Sequence, residues 1–465
     1  MPRSIAQPSL EFIPPNFNPL VRQGVALLIP AWIRWRTALR DIRVENAETL
    51  AQLYNEFYQD KTRFLVAFRH PSPDDPYCLA QLFWRAIPQA ARQRQIELRR
   101  SVHAHFIYDR GIPLWTGRWL GWLYSRLGGI SIQRGKLDLE ALRVARSQFA
   151  DGQFPMVAAP EGGNNGHSEI VSPLEPGVAQ LGFWCADDLK KANRSASVVI
   201  VPVGIQYQYL DPPWTAVEQL LTQLERSCGL APAGGNSRYE RLYRLSEHLL
   251  TLMEDYYQRF YHVSLANPAS TEPENTLETW NAQGFNAKDP NAQLARRLNV
   301  LLNSALTIAE TYFGLTAKGS VIDRCRRLEQ AGWDRIFRED IEDRAALSVV
   351  ERSLADRIAA ETDLRLWHMR LVESFVAVTG RYVIEKPTVE RFAETLLLLR
   401  DMVIRIQDKN PFPRPQLGPQ QAIVTVGQPL SVSDRYADYK KSRRRAVDGL
   451  TQDLRAEFER LVIQS

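Results

Sequence analysis

Residues 64–75, Phe-Leu-Val-Ala-Phe-Arg-His-Pro-Ser-Pro-Asp-Asp, constrain this chain more than any other stretch. Phe64 to Phe68 is a short apolar run ending in turn residues, the pattern of a buried strand. Pro71-Ser72-Pro73 behind His70 neither continues a strand nor starts a helix. Asp75 then opens a helix, with Pro76 suited to its first turn and Leu79, Leu82 and Phe83 at apolar positions. An imidazole thus stands on a loop at a strand end, with a carboxylate five residues on. Such a carboxylate can hold one ring nitrogen while the other faces a substrate. Taken alone, the same pair also serves a purely structural hydrogen bond.

Three later stretches sharpen the reading. They are Gly128-Gly129-Ile130-Ser131-Ile132-Gln133-Arg134, then Ala159-Pro160-Glu161-Gly162-Gly163, then Val198-Val199-Ile200-Val201-Pro202-Val203-Gly204. With the His70–Asp75 stretch, their order and approximate spacing resemble the motif blocks of the glycerolipid acyltransferase family. That family includes the 1-acylglycerol-3-phosphate acyltransferases. The resemblance spans roughly residues 20–210, and His70 and Asp75 resemble its histidine-four-residues-aspartate motif. It implies an α/β fold, a mixed sheet flanked by helices. It also implies that Arg134 meets the acceptor's phosphate, a task suited to a planar, permanently charged fork, and that Pro202 helps shape the acyl or acceptor pocket.

Glu161 is expected beside the histidine, ordering the loop or binding the acceptor glycerol hydroxyl. Gly162, Gly163 and Gly166, with two asparagines, permit positive backbone dihedrals and bring amides close to a ligand. Here the chain departs from the commonest family pattern, which has threonine and arginine after the glutamate-glycine pair. Gly163 and Asn164 stand in those places, so one phosphate-binding cation is missing. Val198–Ile205 reads as a strand buried on both faces, irregular where Pro202 cannot donate.

Composition sets outer bounds. At 465 residues, 45% hydrophobic and 24% charged, the chain can bury a large core and form two or three domains. A net charge of +5 favours anionic partners only where basic residues cluster. No motif supports nucleic-acid binding. Cys78, Cys185, Cys228 and Cys325 are far apart and suit a reducing compartment. His103 and His105 alternate, as on a sheet surface, with no apparent third ligand, so no metal is expected. Neither a signal-peptide pattern nor a run of about eighteen apolar residues is found. The expectation is a peripheral or monotopic protein on the cytoplasmic face of a membrane.

Two segments suit a lipid surface. In Leu20–Arg36 a short apolar stretch is flanked by Trp32, Arg34 and Trp35, and no acid occurs between Glu11 and Asp41. The alternative is a core helix kinked at Pro30. Further on, Trp115, Trp119 and Trp122 fall at i, i+4 and i+7, one face of a helix, within an acid-free stretch.

Helices are expected over 47–58, from Asp75 to about Trp84, and in a basic stretch to about Arg100. From about residue 213 helical periodicity dominates: Leu242–Phe260, Gln293–Phe313, Glu342–Ala359, Leu364–Val378 and Val389–Ile406, the last capped by Thr388. The proline-rich linker near 411–415 precedes a strand over 422–430 and a helix to Leu461. The expected organisation is an N-terminal interfacial segment (1–46), an acyltransferase core (47–212), a helical insertion (213–415) of unknown partner, and a strand and helix returning to the core (416–465).

The expected reaction moves an acyl chain from a thioester, coenzyme A or carrier protein, to a lysophospholipid hydroxyl, without a cofactor. His70 is the general base and Asp75 its orienting carboxylate. The altered segment after Glu161 leaves open glycerol-3-phosphate or another hydroxyl acceptor. A non-catalytic lipid-surface protein of the same fold is the rival from another class.

Overall fold

The computed structural model describes residues 4–133, 137–231, 237–265, 289–375 and 381–462. It contains two compact units: Glu11–Gln133, Leu137–Asp211 and Gly418–Ser465 in one, Met1–Leu10 and Pro212–Leu417 in the other.

The first unit is built on an eight-stranded mixed sheet. Its strands are β1 (Leu39–Glu45), β2 (Thr62–Phe68), β3 (His105–Asp109), β4 (Ile130–Ile132), β5 (Met156–Ala158), β6 (Ser197–Tyr209), β7 (Gln420–Val426) and β8 (Leu430–Ser431). They lie in the order β1-β7-β6-β2-β5-β3-β4, with β8 also on β6. All neighbours are parallel except β6 with β7 and with β8. Val424 of β7 stands opposite Ile205 of β6, so the chain's last strands close the sheet opened by its first.

Side chains of β2 and β6 alternate between two buried layers, as a strand period of two dictates. Phe64, Val66, Phe68, Val201 and Val203 pack with helix α2 (Ala47–Tyr58) and α3 (Asp75–Gln81) on one face. Leu65, Ala67, Val198 and Ile200 pack with α4 (Gly177–Lys191) and α5 (Arg443–Leu461) on the other. α3 continues through a π turn, Leu82–Ala86, and ends at Gln93, short of the helical stretch to Arg100 expected from sequence.

Pro202 leaves the β2–β6 register unbroken: Thr62–Phe68 pairs residue by residue with Ser197–Val203. Its carbonyl points away from β2 and accepts the Gly427 amide at 2.8 Å, where β7 has ended and β8 has not begun. The missing N–H therefore falls in a gap of the ladder, which is why proline is tolerated there.

The sheet starts at Leu39, ahead of the boundary expected at residue 46. Before it, one continuous helix, Pro19–Arg36, runs through Pro30, capped by Asn18, whose side chain accepts the Leu20 and Val21 amides. It has no buried residue, unlike the core helix held as an alternative.

The tryptophan stripe is broken. Trp115 lies in a short helix, Ile112–Thr116, while Trp119 and Trp122 lie on Arg118–Arg126. Gly117 between them takes φ +101°, a conformation that suits glycine and stops a helix. Trp119 and Trp122 are exposed.

His103 and His105 are buried, not on a sheet surface. Nε2 of His103 donates to the Leu127 carbonyl at 2.8 Å, and its Nδ1 accepts the Trp84 indole N–H at 3.2 Å. Among the described residues no cluster of His, Cys, Asp and Glu could hold a metal ion.

The second unit is helical. Its main helices are Trp214–Ser227, Arg238–Tyr261, Pro290–Phe313, Val321–Ile336, Val349–Phe375 and Val389–Ile406. Ser237 and Glu240 form a capping box, and Thr388 caps the last helix through the Arg391 amide. Where sequence periodicity suggests separate helices over 342–359 and 364–378, one helix spans Val349–Phe375. Gln7–Pro8 joins this unit as a strand pair with Phe337–Arg338.

Candidate active site

The site forms where β2 ends. Phe68 is the last strand residue, the Arg69 amide still bonds Val203 of β6, and His70 starts the loop. The two prolines then turn the chain into α3, whose first residue is Asp75. Nδ1 of His70 lies 2.7 Å from Oδ2 of Asp75. The same oxygen accepts the Ser72 amide at 3.0 Å, and Oδ1 accepts the Tyr207 hydroxyl at 2.5 Å. With three donors converging on it, the carboxylate is an acceptor throughout, so the Nδ1 proton is held toward it and Nε2 is left with a lone pair. Asp75 is fully buried, whereas the His70 side chain keeps 23% exposure, so the imidazole is the reachable member of the pair.

Burial pushes the Asp75 carboxyl above its ordinary value, and the bonds from His70, Tyr207 and Ser72 pull it back. Asp74 beside it is pushed up to about 6 by burial and by the Asp75 charge.

The loop after β5 braces the histidine from the other side. Glu161 is buried and accepts four donors: the His70 amide at 2.9 Å, the Arg69 Nε–H at 3.4 Å, the Asn165 amide nitrogen at 3.1 Å and the Ser172 amide at 2.9 Å. Arg69, also buried, sends its remaining donors to the carbonyls of His167, Ser168 and Ile170. A buried guanidinium and carboxylate are tolerable only when paired and saturated with hydrogen bonds, as these are. Gly162, at φ +70°, lets the chain turn directly after Glu161. Gly163 is half-buried and Asn164 exposed, so no cation stands at these two positions.

The structure thus brings His70, Asp75, Glu161 and Gly162 together, with Pro202 on the strand next to β2. Arg134 lies outside the described residues. Trp32, Arg34 and Trp35 are exposed on α1, the helix Pro19–Arg36. Tyr207, Arg69 and Asn165 complete the site and were not singled out in sequence. Arg69 alone carried a signal, since a charged residue at the end of an apolar strand requires a buried partner.

An open cleft lies between α1 and α3, lined by Ala26, Ile29, Ile33, Tyr77 and Trp84, with Arg40, Asp41 and Arg85 also at its wall. Its empty space, mouth included, is about 860 Å³. Trp32 donates its indole N–H to the Tyr77 hydroxyl at 2.8 Å, tying α1 to α3 two residues past Asp75.

Residues 41–206 match the family model described as Acyltransferase. No curated protein and no solved structure matches the chain. The matched span takes in most of β1, all of β2 to β5 and most of β6, with His70, Asp75 and Glu161; Tyr207 falls one residue past it, and residues 212–417 lie beyond. The match covers about a third of the chain, and in residues 41–206 the chain is similar to the acyltransferases that this family model describes.

Proposed function

We propose that the protein transfers an acyl chain from a thioester, on coenzyme A or a carrier protein, to the hydroxyl of a lysophospholipid, with 1-acylglycerol-3-phosphate as acceptor and phosphatidic acid as product. The observation that carries this reading is the His70–Asp75 contact at 2.7 Å, within the acyltransferase match.

In the proposed reaction Nε2 of His70 takes the acceptor's hydroxyl proton as its oxygen attacks the thioester carbonyl carbon. Asp75, fixed by Ser72 and Tyr207, stabilises the imidazolium that forms. Collapse of the tetrahedral intermediate breaks the C–S bond, and His70 returns the proton to the leaving thiolate. The acceptor alcohol is the nucleophile, so no serine or cysteine of the chain is consumed. Arg134 is assigned the acceptor's phosphate on the family resemblance alone. Glu161 is assigned the ordering of the loop, because its oxygens already accept four protein donors.

A lipid acceptor accounts for the exposed face of α1. Leu20, Leu27, Leu28 and Trp35 point outward, Arg34 and Arg36 stand at its C-terminal end, and the helix has no acid in its first turn. No helix among the described residues is long and apolar enough to cross a membrane, so the proposed attachment is interfacial. The cleft between α1 and α3 would receive the lipid from that surface. Gly163 and Asn164 favour a second reading of the same chemistry: an acceptor with another hydroxyl, including glycerol-3-phosphate.

The test is acyl transfer from a labelled acyl thioester to a panel of lysophospholipids and glycerol-3-phosphate, with His70→Ala alongside. Transfer to 1-acylglycerol-3-phosphate, reduced by orders of magnitude in the variant, supports the main reading. Transfer only to another alcohol moves the acceptor. Transfer unchanged by the substitution removes His70 as base, and no transfer from any donor, with vesicle binding intact, favours a non-catalytic lipid-surface protein.

A further inference from the structure

The helical unit holds a partly open apolar cavity that the proposed reaction does not use. It runs between helices Arg238–Tyr261, Pro290–Phe313, Val349–Phe375 and Val389–Ile406, with about 1080 Å³ of empty space including its mouth. Among the described residues, none of the 23 that line it carries a charge, and most are Leu, Ala, Met or aromatic. Its wall extends along one helix from Tyr239 to Tyr257 and along a second from Asn291 to Ala305. At about 1.5 Å per residue these walls are roughly 20 Å or more long. The space is therefore elongated as well as apolar.

Its polar groups are few and largely occupied. The Tyr239 hydroxyl donates to Oδ1 of Asn291 at 2.7 Å, and the Tyr243 hydroxyl donates to the Pro290 carbonyl at 3.4 Å. Both pairs stand near the first turns of Arg238–Tyr261 and Pro290–Phe313, so one end of the space is polar. Deeper in, Leu249, Met253, Leu301 and Leu302 are apolar, and the hydroxyls that also line the space are engaged: Tyr257 with Nδ1 of His368 at 2.6 Å, Tyr382 with Glu394 at 2.5 Å, and Ser246 and Thr395 with the Leu242 and Arg391 carbonyls.

We propose that this cavity is a second lipid site, one that holds a single long-chain acyl group with its carbonyl end toward Tyr239 and Asn291. The uncharged stretch takes only the alkyl part of a ligand, because nothing in it repays the lost water of an ionised group, so a carboxylate or thioester headgroup stays at the polar Tyr239–Asn291 end. A pocket with walls this long suits one alkyl chain better than a compact ring system, and apolar pockets bind through the area they bury. The ligand is a free fatty acid or the chain of an acyl thioester, and the carbonyl end is common to both. The inference concerns binding alone and stands whichever acceptor the acyltransferase unit uses.

The test uses the full-length His70→Ala protein, so that turnover does not consume the probe. A photoactivatable palmitic acid is cross-linked and the labelled peptides mapped, with unlabelled palmitic acid and a palmitoyl thioester as separate competitors. The expected result is label on residues 238–261 and 290–313, competed by one or both, with competition strengthening from eight to sixteen carbons. The competitor that removes the label at lower concentration identifies the source of the chain. Ala295→Phe and Ala305→Phe place a ring in the channel and should each reduce that labelling at least ten-fold while the thermal midpoint is kept or raised. Label confined to residues 19–85, no dependence on chain length, or labelling unaffected by either well-folded filling variant would overturn the proposal. Should one variant unfold, the other and the chain-length series still decide.

Discussion

The Tyr207 hydroxyl lies 2.5 Å from Oδ1 of Asp75, on the opposite side of the carboxylate from His70. Tyr207 comes from β6 and is buried, with the Cys78 thiol 3.5 Å from its oxygen. The contact makes Asp75 a carboxylate with every approach occupied, although burial alone would favour its neutral form.

Tyr207→Phe removes one donor to the ionised carboxylate. A hydrogen bond to a charged group is worth roughly 1.5–3 kcal/mol, so turnover should fall about ten-fold or more. The sign of the pH effect follows from the same bond. Losing a donor raises the Asp75 pKa further, so the acid limb of the pH–rate profile should move to higher pH. A profile that keeps its position while turnover falls would reduce Tyr207 to packing. Asp75→Asn, which destroys the tautomer control as well, should cost on the order of 10³-fold or more.

Glu161 offers a clean contrast between ordering the loop and binding the acceptor. Glu161→Gln replaces one acceptor oxygen by a donor that faces N–H groups, and leaves the buried Arg69 guanidinium without its counter-charge. Breaking a buried pair in this way costs about 3–5 kcal/mol. The expected result is a lower denaturation midpoint, with activity lost as the His70 loop loosens. Unchanged stability with a raised KM for the acceptor alone would instead place Glu161 on the substrate.

His70 and Asp75 could be recognised in sequence because their contact is local, five residues apart across a proline turn. Arg69–Glu161 and Tyr207–Asp75 span 92 and 132 residues, and no periodicity announces such pairs. Only the sheet order that sets β2 beside β5 and β6 brings them together. Periodicity also misled where one residue decides the backbone. Trp115, Trp119 and Trp122 have helical spacing, yet Gly117 breaks the helix between the first two. In the helical unit, the polar run Glu361-Thr362-Asp363 reads as a gap, but Thr362 is buried and the helix passes through it. Tertiary packing overrode local composition there.

Acid should destabilise the sheet unit through His103. Both of its ring nitrogens are engaged in the neutral form, one donating to Leu127 and one accepting from Trp84. Burial lowers its pKa to about 3. For a base whose folded pKa is depressed, the unfolded chain binds more protons between the two values, so stability falls as pH drops from about 6.5 toward 3. The slope is at most about 1.4 kcal/mol per pH unit for this group. Chemical denaturation at pH 7.5 and 5 should show the loss, and His103→Gln should flatten it while lowering stability at both. A slope unchanged in that variant would assign the acid sensitivity elsewhere.

The outward face of α1 makes the last prediction. Leu27 and Leu28 are 80% and 67% exposed, and Trp35 is 76% exposed, on a helix whose inward side still packs against the sheet unit. Fully burying a leucine side chain is worth about 1.5–3 kcal/mol, so two leucines inserted at a lipid interface supply a large share of a peripheral protein's attachment. Leu27→Asp with Leu28→Asp should therefore weaken binding to vesicles of anionic phospholipid at least about ten-fold. The thermal midpoint should stay within a degree or so, because neither side chain is part of the core. Raised salt should weaken wild-type binding further through Arg34 and Arg36, since screening acts on exposed charges. Sedimentation with vesicles at two ionic strengths measures both terms. If the double variant sediments like the wild type, the lipid-facing surface lies elsewhere, and Trp119 and Trp122 are the residues to substitute next.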